Sequence, residues 1–296
     1  MADSELSDAE RRFGLEPGAF PFQSHFIENR GVKLHYVDVG IGPTLLMIHG
    51  NPTWSFIYRH LIRELSVHYR CIALDCPGFG LSSAPDDFSY EPASLAEMVE
   101  DLLIARDLQD VTLVAHDWGG PIGIAAALRS GGRITRLCLG NSWAWPVNGD
   151  FHFEWFSRLM GGPIGRFGTN RFAMFINLMI PASMKRGRLS DATMRAYRAP
   201  FANGQTRRPM IVLPQQILKA RQWLAEIESG LHKFSGPVRL IWPENDIAFR
   251  AKELRRWQAM LPQADVVSIP NCGHYLWEDA PKECAAAVRE FMEGKA

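Results

Sequence analysis

Apolar positions along the chain fall into short runs separated by helix-length stretches. Val32 to Val39 alternates apolar and polar residues, as a strand with one buried face does. The Asn29-Arg30-Gly31 turn before it predicts a hairpin with the preceding segment. Thr44 to Ile48 is a continuous apolar run that suits a strand buried on both faces. Runs of the same kind are Arg70 to Leu74, Val111 to Ala115, Ile134 to Leu139, Val238 to Trp242 and Val266 to Ile269. Helical patterns lie between them, among them Leu95 to Arg106, Pro121 to Arg129 and Ala251 to Met260. Strands alternating with helices predict an α/β architecture, with a mostly parallel sheet and right-handed crossovers.

The rhythm breaks between about Trp145 and Lys233. This stretch and its approach are rich in Phe, Trp and Met, including Trp143, Trp145, Phe151, Phe153, Trp155, Phe156, Phe172, Met174 and Phe175. Helical spacing without a strand pattern predicts a helical cap over residues 145–233. The core is then residues 1–144 and 234–296. Most of these aromatics are expected in the cap's own core, with a few lining an apolar cavity.

The 296 residues, 47% of them hydrophobic, suffice for a large core. Lys plus Arg and Asp plus Glu are both 32. A chain with no net charge has no long-range field to draw in nucleic acid or an anionic membrane, so neither is an expected partner. Arg207-Arg208 and Arg255-Arg256 are too short to form a basic patch and read as solvated surface. Five cysteines without C-x-x-C spacing argue against a disulfide scaffold or a zinc site. The polar stretch Met1 to Arg12 lacks the apolar region of a signal peptide. No apolar run approaches the ~18 residues that a membrane span needs. The expectation is a cytoplasmic protein with reduced thiols, and self-association is left open.

Candidate chemistry centres on Ala115-His116-Asp117-Trp118-Gly119-Gly120, between a buried strand and a helix. That is the place of a nucleophile elbow, a sharp turn that exposes one side chain above the sheet. The slot holds Asp117, which can attack carbon directly and form an ester. The bland alternative is an aspartate capping the next helix. His49-Gly50-Asn51-Pro52 follows a strand. Its loop and the residue after the nucleophile would give backbone N–H groups to an oxyanion hole, here from Asn51 and Trp118. Asp75-Cys76-Pro77-Gly78-Phe79-Gly80 reads as structural, with Asp75 satisfying local backbone. His274 is the candidate base, because it alone of nine histidines lies after the last strand and before the last helix. His49 reads as a loop brace. The acid that orients the base should fall between Asp117 and His274 in chain order. Asp246 fits, with Glu244 as the fallback.

Over nearly its whole length the chain resembles the haloalkane dehalogenases, enzymes of the α/β-hydrolase fold. The resemblance rests on His49-Gly50-Asn51-Pro52-Thr53 and His116-Asp117-Trp118-Gly119-Gly120. In the cap it rests on Tyr197-Arg198-Ala199-Pro200-Phe201, Arg207-Arg208-Pro209 and Pro214-Gln215-Gln216. It implies a small haloalkane substrate, attack by Asp117 and hydrolysis of the ester by water that His274 activates. The products are alcohol, halide and a proton, and no metal or organic cofactor is needed. It also implies that side-chain N–H groups of Asn51 and Trp118 hold the halide and that Pro214 lines the pocket. Many members carry the acid one strand earlier, where this chain has Asn141. The chain is therefore similar to the subgroup with an Asp–His–Asp triad and an Asn–Trp halide pair. Asn141 is left to hold a water or a backbone group. An epoxide hydrolase shares the Asp nucleophile but needs acidic donors, usually two cap tyrosines, and the cap offers only Tyr197. A non-catalytic binding member of the fold would be expected to have lost part of the triad.

Overall fold

The computed structural model describes residues 6–294, so the first five residues of the polar N-terminal stretch lie outside it. Eight strands form one sheet: β1 (Ser24–Asn29), β2 (Val32–Val39), β3 (Thr44–Ile48), β4 (Arg70–Leu74), β5 (Val111–Ala115), β6 (Ile134–Gly140), β7 (Val238–Pro243) and β8 (Asp265–Ile269). Their order is β1-β2-β4-β3-β5-β6-β7-β8. β2 runs antiparallel to both its neighbours, and every pairing from β4 to β8 is parallel. Arg30 and Gly31 both have positive φ, 52° and 75°, in the two-residue turn that joins β1 to β2. That backbone suits the twist of a tight hairpin.

β3 and β5 are the central strands. β5 is buried at every position and β3 at all but its first. A strand covered by helices on both faces needs no polar alternation. The chain leaves β5 through a turn into helix Gly119–Arg129, which packs on β3, β5 and β6. Gly119 passes so close to β3 that a Cβ there would lie 2.0 Å from the Ile48 carbonyl oxygen. The glycine lets the helix start directly above the sheet.

Between β6 and β7 the chain forms only helices among the described residues, from Phe151–Gly161 to Arg221–Leu231. Helix Phe151–Gly161 packs on helix Arg208–Lys219. The arginine pair is not simply solvated. Arg207 donates to the carbonyls of Phe201, Asn170 and Ala202, and Arg208 to that of Asp86. Not all of the aromatics are core either. Phe151, Trp155 and Phe172 are exposed, because each sits on the outward face of its helix. Of the described residues, no helix is long and apolar enough to cross a membrane.

Candidate active site

The turn after β5 puts Asp117 in the left-handed region, at φ 51°. A non-glycine residue held there stores local strain, and such strain clusters at functional sites. The turn is held by Asp117 N–H to the Asn141 carbonyl at 2.9 Å and by Ser142 Oγ to the Asp117 carbonyl at 2.7 Å. The carboxylate makes no cap on the next helix, whose N-cap is Trp118 with no side-chain bond. Instead Oδ1 accepts the Asn51 N–H at 2.8 Å. Gly50 makes room for this contact, since a Cβ there would lie 2.4 Å from Asp117 Cβ.

Burial raises the Asp117 pKa above its usual 3.8, while the imidazole of His274 and the N–H groups of Trp118 and Asn51 pull it back. The net direction is upward, so the carboxylate is a desolvated one, less stabilised than in water and held in place by those three groups.

His274 follows β8. Its Nδ1 lies 2.9 Å from Asp246 Oδ2, and its Nε2 lies 3.9 Å from Asp117 Oδ2. The second distance is too long for a hydrogen bond. Burial opposes charging this imidazole, but Asp246 and Asp117 outweigh it and raise the pKa above 6.5. The loop is pinned on both sides. His274 N–H donates to the Ser183 carbonyl at 3.1 Å, and the His274 carbonyl lies 2.9 Å from His116 Nε2. Asp246 is buried after β7, with Oδ1 accepting the Ala248 N–H at 2.6 Å. Glu244 points elsewhere and accepts from Ser268 Oγ.

The Asn141 side chain is tied to Asp246. Its Nδ2 donates to Asp246 Oδ2, the oxygen that also faces His274. The sequence leaves this contact invisible, because the partners lie 105 residues apart. His49 braces a loop, with Nδ1 on the Gly50 carbonyl and Nε2 accepting the Cys76 N–H. Asp75 is fully used by His35, Ser55 N–H and Leu81 N–H.

A cavity of about 230 Å³ sits above Asp117 and His274. Asn51, Trp118 and Pro214 line it, and so do the cap aromatics Phe153, Phe156 and Phe175. The Asn51 carboxamide is not committed to the protein, since its buried Oδ1 has no partner. Phe249 and Tyr275 also line the cavity and were not singled out by motif reasoning. Tyr275 could have been found as the neighbour of the candidate base. Burial, then the charges of Asp117 and Asp246, push its phenol well above 10, so it stays a protonated donor. Tyr197 does not line the cavity; it is buried with its hydroxyl on Glu278, which also pairs with Arg59.

The family model described as alpha/beta hydrolase fold matches residues 43–281. Haloalkane dehalogenase 2 of Mycobacterium bovis is 38% identical, over 94% of this chain and 98% of that protein. A cis-3-alkyl-4-alkyloxetan-2-one decarboxylase of Shewanella oneidensis is 35% identical, over 92% of this chain and 89% of that protein. Among solved structures, haloalkane dehalogenase DbeA of Bradyrhizobium elkani superposes with a TM-score of 0.85 at 25% identity, covering 93% of this chain and 98% of that one.

Proposed function

The chain belongs to the haloalkane dehalogenase family of α/β-hydrolases, and on that premise we propose that it opens carbon–halogen bonds in small haloalkanes through an alkyl ester on Asp117. One observation carries the reading: a carboxylate, not a hydroxyl, stands on the elbow and lines the cavity, with Oδ1 held at 2.8 Å by Asn51 N–H. Asp117 Oδ2 attacks the halogen-bearing carbon in line. The new C–O bond forms as the C–X bond breaks, and halide leaves with the electron pair. The side chains of Asn51 and Trp118 stabilise charge that grows only as that bond stretches, which is where stabilisation accelerates the reaction. His274 Nε2 then takes a proton from water, and hydroxide adds to the ester carbonyl. The oxyanion develops on Oδ1, where Asn51 and Trp118 N–H groups receive it. Its collapse releases alcohol and restores Asp117.

Trp118→Phe keeps a ring but loses the indole N–H, and Asn51→Ala loses the carboxamide. Each is expected to slow the alkylation step by about 10²-fold or more, the cost of one lost oxyanion donor. Chloroalkanes should suffer more than iodoalkanes, because chloride leaves less readily. Stopped-flow halide release checks both points, and a loss equal for chloroalkanes and iodoalkanes would count against the donor role.

pH separates the two steps. Attack needs ionised Asp117, whose pKa is raised from 3.8, and hydrolysis needs neutral His274, whose pKa is raised from 6.5. As pH falls through the His274 value, turnover should drop while alkylation persists. Quenched-flow at mildly acid pH should therefore show a halide burst of about one per enzyme followed by slow turnover. A burst that fades in step with turnover would sink the assignment of His274 to the second step alone.

The epoxide hydrolase reading loses its one cap phenol, because Tyr197 is spent on Glu278. A second reading comes from the oxetanone decarboxylase relative and from Tyr275, an O–H donor on a wall otherwise suited to alkyl chains. Asp117 would attack the saturated ring carbon bonded to the ring oxygen of a β-lactone, breaking that C–O bond, with the carboxylate so released in the place of halide. Loss of carbon dioxide would then form the alkene and expel Asp117, with no water and no base. Assaying halide from dihaloalkanes beside carbon dioxide from a dialkyl oxetanone distinguishes the two readings. The dehalogenase reading is refuted by carbon dioxide release without halide from any bromoalkane.

A further inference from the structure

Twelve large apolar side chains are exposed among the described residues, and seven of them lie within residues 151–178. Phe151, Trp155 and Leu159 form one stripe, at i, i+4 and i+8, of helix Phe151–Gly161. Its opposite stripe, Phe153, Ser157 and Met160, is buried. Ile164, Phe167 and Phe172 continue the outer face along the next helix, Pro163–Phe172. Phe151 is 82% exposed, Ile164 74% and Phe167 67%. A monomer rarely leaves so much contiguous apolar surface to water without a use.

The charge on the same element is one-sided. Residues 145–233 carry thirteen Lys or Arg against five Asp or Glu, while the remainder carries nineteen against twenty-seven. The neutrality of the whole chain hides a basic cap on an acidic core. Basic groups interleave with the apolar face. The Arg171 guanidinium lies 5.3 Å from the Phe172 ring centre. Burial and the nearby Arg171 both lower the pKa of Arg207, a sign that like charges crowd there. Arg166 and Arg208 line a surface groove together with Phe167.

We propose that the outer face of the cap, helices Phe151–Gly161 and Pro163–Phe172, docks on an anionic phospholipid surface. Aromatic and aliphatic side chains enter the interface while Arg166, Arg171 and Arg208 meet lipid phosphates. A second copy meeting cap to cap would bring two basic surfaces together, so charge complementarity favours the anionic membrane. The placement also has a functional logic. Trp155 belongs both to the exposed stripe and to the wall of the active-site cavity. The mouth of the cavity therefore opens at the docking face, where alkyl substrates that partition into lipid would be delivered.

Vesicle co-sedimentation of the full chain tests this, with phosphatidylcholine alone and with an equal part of phosphatidylglycerol. The wild type should sediment with the anionic vesicles only and be released by high salt. Ile164→Ser with Phe167→Ser, and separately Arg166→Gln with Arg171→Gln, should each lower the partition coefficient about tenfold or more. Circular dichroism should show both pairs folded. These substitutions alter the surface only, so halide release from a water-soluble bromoalkane reports independently on the dehalogenase reading. Failure of the wild type to bind anionic vesicles, or equal binding by folded variants, overturns the proposal. So does a dimer in light scattering that the Ile164→Ser and Phe167→Ser pair disperses, which assigns the face to a second copy instead.

Discussion

His274→Phe should release one equivalent of halide from a bromoalkane and then stop, with steady turnover lower by about 10⁴-fold or more, as when a triad base is lost. The asymmetry follows from geometry. His274 Nε2 is 3.9 Å from Asp117 and makes no hydrogen bond to it, so attack does not depend on the imidazole. Asn51 N–H stays on Oδ1. The imidazole does help to keep Asp117 ionised, so its removal raises the Asp117 pKa further and the trap should be set at or above neutral pH. Phenylalanine keeps the ring that packs against His116, Tyr275 and Phe249. Intact-protein mass spectrometry should show one added alkyl group, and peptide mapping should place it on Asp117. The cysteines do not compete. All five are buried, and burial pushes Cys71 and Cys138 up to about 12, far from the reactive thiolate. Unmodified protein, or an alkyl group on cysteine, would overturn the ester mechanism.

The sheet was largely legible because its strands are apolar runs of the right length. β2, β3, β4 and β5 begin and end where the pattern places them, and the others differ by a residue at an end. β1 was only implied by its turn, since its burial is mixed and its pattern weak. The elbow was legible because tight turns restrict residue choice: small residues must flank Asp117, and Gly119 and Gly50 meet backbone or carboxylate within 2.4 Å of an added Cβ. The pairing of Asn141 with Asp246 was not legible. Side-chain contacts between the ends of neighbouring strands depend on register and rotamer, and neither leaves a periodic trace. Which of the aromatics in residues 145–233 face outward was not legible for a related reason. Helical spacing shows that Phe151 and Trp155 share a face but not whether that face is covered.

Asp246→Asn should cost the hydrolytic step about 10⁴-fold, because an amide cannot hold the imidazole in the tautomer that leaves Nε2 free to accept a proton. Asn141→Ala should cost about tenfold, the size of one net hydrogen bond, since Asp246 keeps Ala248 N–H and His274. Magnitude alone would not separate orientation from simple loss of structure, but the pH profile does. In the free enzyme burial lowers the His274 pKa, and Asp246 with Asp117 raises it above 6.5, Asp246 being the larger of the two. In the alkyl-enzyme Asp117 is an uncharged ester, so removing the Asp246 carboxylate leaves desolvation alone and the imidazole pKa falls. The residual hydrolysis of Asp246→Asn should therefore have its acid limb at lower pH than the wild type, while Asn141→Ala keeps the acid limb near its original place. Single-turnover decay of the alkyl-enzyme against pH reads both. If Asn141→Ala were the more severe change, or if Asp246→Asn lost rate with no movement of the acid limb, Asp246 would not be the carboxylate that orients His274.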